Sequence, residues 1–208
     1  DEKVIARLKK YNVNMVELGV QSLDDKVLEK AKRVHSGADV LKAVQMLKNA
    51  RINFGIQLMA GLPGQDWASI KETTVQVVGM RPDAIRIYPL VIFENTDFAL
   101  QYKAGELKLS DFEEIVEQVA YMTEQFNLHG INIIRTGLQE DDGLHEQGAI
   151  LGGFHHPAFG ELVSSYNYRR QIICLLNKNQ NKKITLLVPK KHLAQVIGHK
   201  KVNVEYFK

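Results

Sequence analysis

Short apolar runs alternate with longer amphipathic ones along most of this chain, and the order repeats three times. Strand-like Asn14 to Val20 precedes helical patterns at Asp24 to Lys32 and Asp39 to Ala50. Phe54 to Ala60 precedes Asp66 to Met80, and Ala84 to Val91 precedes Phe98 to Ala104 and Ser110 to His129. A short strand at Ile131 to Arg135 closes the series. Strands that alternate with helices predict βαβ units and a parallel sheet.

The boundaries have chemical reasons. Asp24 and Asp39 are placed to cap helix starts, and Ser110 with Glu113 reads as a capping box. Val40, Ala43, Val44 and Leu47 share one face of a helix that ends near Asn49 to Arg51. Pro63 in GLPG turns the chain after a strand, and Arg81-Pro82-Asp83 stops the next helix. After Arg135 the alternation breaks in TGLQEDDGLHEQGAILGGFHH, an irregular connection of a kind often recruited to active sites. Pro157 to Leu176 is again helical. Lys183 to Val188 and Val202 to Phe207 read as strands around a helical Lys190 to Ile197, a small βαβ appendage.

At 208 residues and 45% hydrophobic the chain buries an ordinary core. It has no apolar run of about 18 residues or more, so no membrane span is predicted. Its first residues carry no export signal, so a cytoplasmic location is expected. One cysteine, Cys174, excludes an internal disulfide and cannot by itself hold an iron–sulfur cluster or a structural zinc. It lies in an apolar helical stretch and reads as a core residue. The +3 net charge is uneven: residues 178–208 hold eight lysines and one acid, net +7, which leaves −4 for the rest. That asymmetry fits either a polyanion partner or a lysine-covered solvated face. Six of the eight, Lys182, Lys183, Lys190, Lys191, Lys200 and Lys201, are the candidate contacts for such a partner.

In parallel α/β architectures ligands bind beyond the carboxyl ends of the strands. This selects Gln21, Gln57, Met59, Arg86, Tyr88 and Arg135, with Glu17 on the same strand face as Gln21. A polar group buried in a sheet without a partner costs about 1–3 kcal/mol, so these side chains need each other or a ligand. GLPG lacks both nucleotide-loop patterns, and its glycines allow close approach of something flat or bulky. No residue stands out as a catalytic nucleophile or metal ligand. The adjacent pair His155-His156 is a poor chelate and suits hydrogen bonding at a helix start.

ELGVQSLDDKVLEKAKRVH, IQLMAGLPGQ and RPDAIRIYPL resemble the second half of the barrel in radical S-adenosylmethionine (SAM) enzymes, over about residues 10 to 135. The group most resembled is that of the Elongator catalytic subunit and of oxygen-independent coproporphyrinogen III oxidase. GGFHHPAFGELVSSYNYRRQ is similar to the C-terminal extension of bacterial members. The resemblance implies a partial (β/α) barrel at 1–136, an irregular connection and helix at 137–177, and a basic α/β extension at 178–208. It also implies reductive cleavage of SAM to a 5'-deoxyadenosyl radical at a 4Fe–4S cluster. Gln21 would touch the cofactor's sugar or amino-acid part, Arg33 would clamp its carboxylate, and Met59 and Val91 would line the adenine. Gln57 stands where porphyrinogen-type relatives carry an acid.

The family's CxxxCxxC motif is missing, so the chain is expected to be a C-terminal portion, inactive alone. Its expected partners are an N-terminal half of the same protein and a second copy that covers open sheet edges. The Elongator likeness implies transfer RNA as substrate, with a porphyrinogen as the alternative. A non-catalytic RNA-binding module built on the lysine-rich tail is the second functional reading. VIGHKKVNV resembles the RNA-clamping loop of KH modules, with Lys201 in place of the second glycine.

Overall fold

The structure is a computed structural model and describes residues 1–139, 149–180 and 183–208. Helix α1 (Glu2–Lys10) is capped by the Asp1 carboxylate and has no counterpart in the predicted elements. Strand β1 (Met15–Gln21) then leads into α2 (Asp25–Lys30), whose N-terminus is capped by Asp24, which accepts from the backbone of Lys26 and Val27. Helix α3 (Gly37–Ala50) begins two residues before the expected Asp39. Ser36 is its cap, and Asp39 sits three residues on, completing a capping box that holds the Asp39 carboxyl below its ordinary range. Arg51, in the left-handed region, ends α3.

Next come β2 (Asn53–Ala60), α4 (Trp67–Met80) and β3 (Ala84–Pro89). The predicted strand at 84–91 is broken at Leu90, and Val91 belongs to a separate strand, β4 (Val91–Phe93). Helices α5 (Asp97–Lys103) and α6 (Phe112–Leu128) follow, then β5 (Ile133–Thr136), β6 (Ile150–Gly153) and α7 (Phe159–Lys178). The N-cap of α6 is Asp111, without a side-chain cap bond, so the Ser110 capping box does not form.

The four long-range strands pair in parallel in the order β1-β2-β3-β5, and β4 pairs antiparallel with β6. Val20, Ile56, Leu58, Ile85 and Ile87 point to one face, where they are buried in one core with Val44, Ile70, Val119 and Phe126 of the helices. The opposite face of β1, β2 and β3 carries Glu17, Gln57, Met59, Arg86 and Tyr88, all exposed or half-buried. Two-residue alternation thus separates an apolar face from a polar one.

The tail departs from its predicted form. Residues 183–188 make no strand, and Val202–Tyr206 is a helix, so there is no βαβ appendage among the described residues. Instead a 3₁₀ turn (Lys190–His192) enters α8 (Leu193–Ile197), and a second (His199–Lys201) enters α9 (Val202–Tyr206). A strand requires a ladder partner, and 183–188 has none here. Buried Asn203 ties α9 to α7 and α8 by donating to the Ser165 and Val196 carbonyls at 2.9 and 3.0 Å. Cys174, expected in the core, is exposed on α7.

Candidate functional site

The end of β1 is irregular. Its register against β2 shifts between Leu18 and Gln21, and buried Gln21 has φ of +63°. A left-handed conformation in a buried, non-glycine residue at a strand end is costly and concentrates at sites that hold ligands. The backbone there is fixed from behind. Leu23 N donates to the Thr73 hydroxyl of α4 at 3.2 Å, and Asp24 N donates to the buried Ser22 hydroxyl at 3.1 Å.

From this end the polar face extends across the sheet. Gln57 Nε2 donates to Gln21 Oε1 at 3.1 Å. Glu17 reaches over β2, where its register partner is Gly55, and its Oε2 lies 2.8 Å from Arg86 Nε on β3. This is an ion pair off the line of a good hydrogen bond, and its side chains are partly exposed, so it orients the guanidinium more than it stabilises the fold. Arg86 Nη1 also donates to the Tyr88 hydroxyl at 3.2 Å, and Tyr88 and then Glu17 hold the guanidinium above its usual range. Arg135 is the register partner of Arg86 on β5. Glu17, Gln21, Gln57, Met59, Arg86, Tyr88 and Arg135 are therefore gathered on four adjacent strands. The face offers paired amides, a phenol and guanidinium groups to a ligand, and no residue on it has the surroundings of an activated nucleophile.

Val91 and Arg33 stand apart from this group. Val91 is buried on β4 opposite Gly153. Arg33 is exposed on the loop after α2 and pairs with no described carboxylate; two residues on, His35 Nε2 lies 3.2 Å from the Val20 carbonyl of β1.

The flat object that GLPG accommodates belongs to the chain itself. A Cβ on Gly61, which has φ of +84°, would clash with Cε2 and Cδ2 of the Phe154 ring. Phe154 N donates to Leu90 O at 2.8 Å, and Leu90 N donates to Ala60 O at 2.8 Å, which lays the β6 strand against the ends of β2 and β3. Gln65, missed in the sequence, clasps the turn by donating to the Met59 carbonyl at 3.1 Å and accepting from Leu62 N at 3.2 Å. Its place one residue after GLPG was the available signal.

His156 behaves as expected at the start of α7, its Nδ1 accepting from Ala158 N at 3.0 Å. Burial first, then the neighbouring His199, His155 and Lys200, push its imidazole below the ordinary range. A base held low in the folded state leaves the unfolded chain binding more protons. Stability should therefore fall as pH drops below about 6.5. Denaturation midpoints at pH 5 and pH 8 measure the loss, and His156→Gln should shrink the difference.

The sequence matches two models of one superfamily: Radical SAM superfamily over residues 1–76 and Radical SAM C-terminal domain over residues 82–169. The chain belongs to the radical SAM superfamily. This overturns the expectation of a C-terminal remnant and of a merely second-half barrel, because both the core and C-terminal domain models fall within it. The expected N-terminal half as a missing partner is withdrawn on the same ground. What stands is a radical-SAM-like α/β fold with a parallel sheet and a helical C-terminal extension.

Among relatives, the chain is 31% identical over 176 residues to the tRNA uridine(34) acetyltransferase of Methanocaldococcus jannaschii, a match over 83% of this chain and 31% of that protein. It therefore spans about a third of the length of that relative. The Methanocaldococcus infernus Elp3 structure superposes with a TM-score of 0.73 at 27% identity, over 92% of this chain and 46% of that one. Coproporphyrinogen III oxidase (HemN) from Escherichia coli shares the fold, with a TM-score of 0.50 at 17% identity over 85% of this chain and 52% of that one.

SAM and a 4Fe–4S cluster are typical of the superfamily. The cluster does not fit the residues present. The one cysteine is exposed on α7, and no group of three or more His, Cys, Asp or Glu among the described residues is arranged to hold a metal. The polar face does fit SAM, because Gln21 and Gln57 can hydrogen-bond hydroxyl or amino groups and guanidinium groups suit a carboxylate. No helix among the described residues is long and apolar enough to cross a membrane.

Proposed function

We propose that this chain forms the SAM-binding face of a radical SAM enzyme of the Elongator-like group, acting on transfer RNA. The observation that carries the reading is the left-handed Gln21 at the bulged end of β1, hydrogen-bonded to Gln57 beside the Glu17–Arg86–Tyr88 group. Bound SAM supplies the superfamily's adenosyl chemistry, and the radical step is not assigned to any residue of this chain. Gln21 and Gln57 hold the ribose or amino-acid part, and Met59 flanks the adenine; Val91, buried on β4, is left out of the site. Arg33 reaches from its loop to the carboxylate. Glu17 keeps Arg86 extended over the sheet, which orients Tyr88. The transfer RNA substrate is supported by the name of the M. jannaschii relative.

Binding of SAM to the intact chain, measured by isothermal titration calorimetry, tests the reading. Gln21→Ala should weaken it about 5- to 10-fold, the worth of one neutral hydrogen bond. Arg33→Ala should weaken it at least about 10-fold, since a charge-assisted bond is stronger. No heat of binding with the unmodified chain rejects the site, and an unchanged affinity in Arg33→Ala removes that residue from it.

A further inference from the structure

The tail lysines are not equivalent. Lys208 is paired with Glu205 at 2.6 Å, whereas Lys190, Lys191, Lys200 and Lys201 are exposed and have no described carboxylate partner. These four sit on the two 3₁₀ turns that flank α8, whose five residues rise about 7.5 Å. The second turn is unusual. Lys200 and Lys201 both have left-handed backbones, φ 51° and 64°, a conformation that disfavours L-residues.

The fold enforces that conformation. Gly198, with φ of +84°, packs so closely that a Cβ would meet Ser165 Oγ and Val202 Cγ1 at 2.7 Å, and the buried Asn203 amide bonds carbonyls of both α7 and α8. The turn is thus clamped to α7 while its two ammonium groups face outward. Beside it is a hollow of about 280 Å³ lined by His199, Lys200 and Lys201, with Glu161 as its one acidic neighbour. The His156 and His199 rings meet edge-on at 5.4 Å beside it.

We propose that the Gly198–Lys201 turn, with Lys190 and Lys191 at the other end of α8, is a contact surface for the phosphate backbone of RNA. The inference rests on the transfer RNA reading above but concerns a different part of the molecule. A rigid turn carrying adjacent cations beside a hollow suits a phosphodiester group, because the geometry is fixed before the ligand arrives. Insertion into a lipid surface would call for a longer amphipathic helix, and purely electrostatic adsorption to anionic headgroups is separated from RNA binding by the vesicle arm of the test. Helices α8 and α9 have five residues each, too few for insertion.

The test is fluorescence anisotropy of a labelled transfer RNA anticodon stem-loop with the full chain over a series of salt concentrations. Lys200→Asn with Lys201→Asn removes both charges and keeps residues that tolerate a left-handed backbone, so the fold is preserved. The double variant should bind about tenfold more weakly, and its slope of log affinity against log salt should be shallower by about 1.4, two single-strand phosphate contacts. Lys183→Asn, elsewhere in the tail, should change affinity less than about twofold. The proposal is overturned if the unmodified chain binds no RNA, if the double variant binds equally well, or if Lys183→Asn costs as much. Phosphatidylserine vesicles that bind through the same two lysines as tightly as RNA would overturn the RNA assignment. SAM affinity of the double variant should be unchanged, so failure here and failure of the polar face are read separately.

Discussion

Gly61→Ala is expected to destabilise the protein by about 2–5 kcal/mol, measured by urea denaturation. Two costs add. A left-handed backbone in an L-residue costs roughly 1–2 kcal/mol, and forcing a methyl group into a filled space costs roughly 1–3 kcal/mol. The space is filled by the Phe154 ring, with Ile115 Cδ1 3.3 Å from the added carbon. Phe154 is buried and cannot swing aside without leaving the core it shares with Ile115 and Leu62. A double-mutant cycle isolates the second cost. With Phe154→Ala in the background the clash disappears, so Gly61→Ala should then cost only the backbone share. A coupling near zero would mean that Phe154 does not lie over this turn. SAM affinity of the folded fraction should change little, because Gly61 serves the chain's own packing.

How much of this could be read from the chain follows from the range of the interactions involved. Strands β1, β2 and β3 announce themselves because two-residue alternation and flanking turn residues are local. The polar ends were legible for the same reason, since Gln57 and Met59, and Arg86 and Tyr88, alternate with Leu58 and Ile87. Their pairing was not. Glu17 meets Arg86 only because β2 lies between β1 and β3 and presents Gly55 beneath the contact, which is a property of strand order.

Strand β6 escaped for a related reason. Four residues ending in two glycines have little propensity of their own, and the strand exists because β4 offers it an antiparallel partner. The tail failed in the opposite sense. Val202 to Phe207 is rich in β-branched and aromatic residues, yet the Asn203 amide fastens it as a helix to α7. A five-residue segment holds too few turns for its period to decide.

The two faces of the sheet make the last prediction, Leu58→Ala, a test of the whole arrangement. Leu58 is fully buried on β2, a central strand with β1 on one side and β3 on the other, and it points into the helix core beside Ile56 and Ile87. Truncation removes three carbons and leaves a cavity that a four-stranded sheet with helices on that face cannot collapse to fill. The expected loss is about 2–5 kcal/mol. Its sequence neighbour Gln57 points to the opposite face, where its amide bonds Gln21 and its surroundings are half exposed. Gln57→Ala should therefore cost no more than about 1 kcal/mol of stability while weakening SAM binding. Adjacent residues on one strand would then divide cleanly, one holding the fold and the other the ligand. Equal stability losses at 57 and 58 would mean that both faces of β2 are packed, and the polar face would cease to be a binding surface.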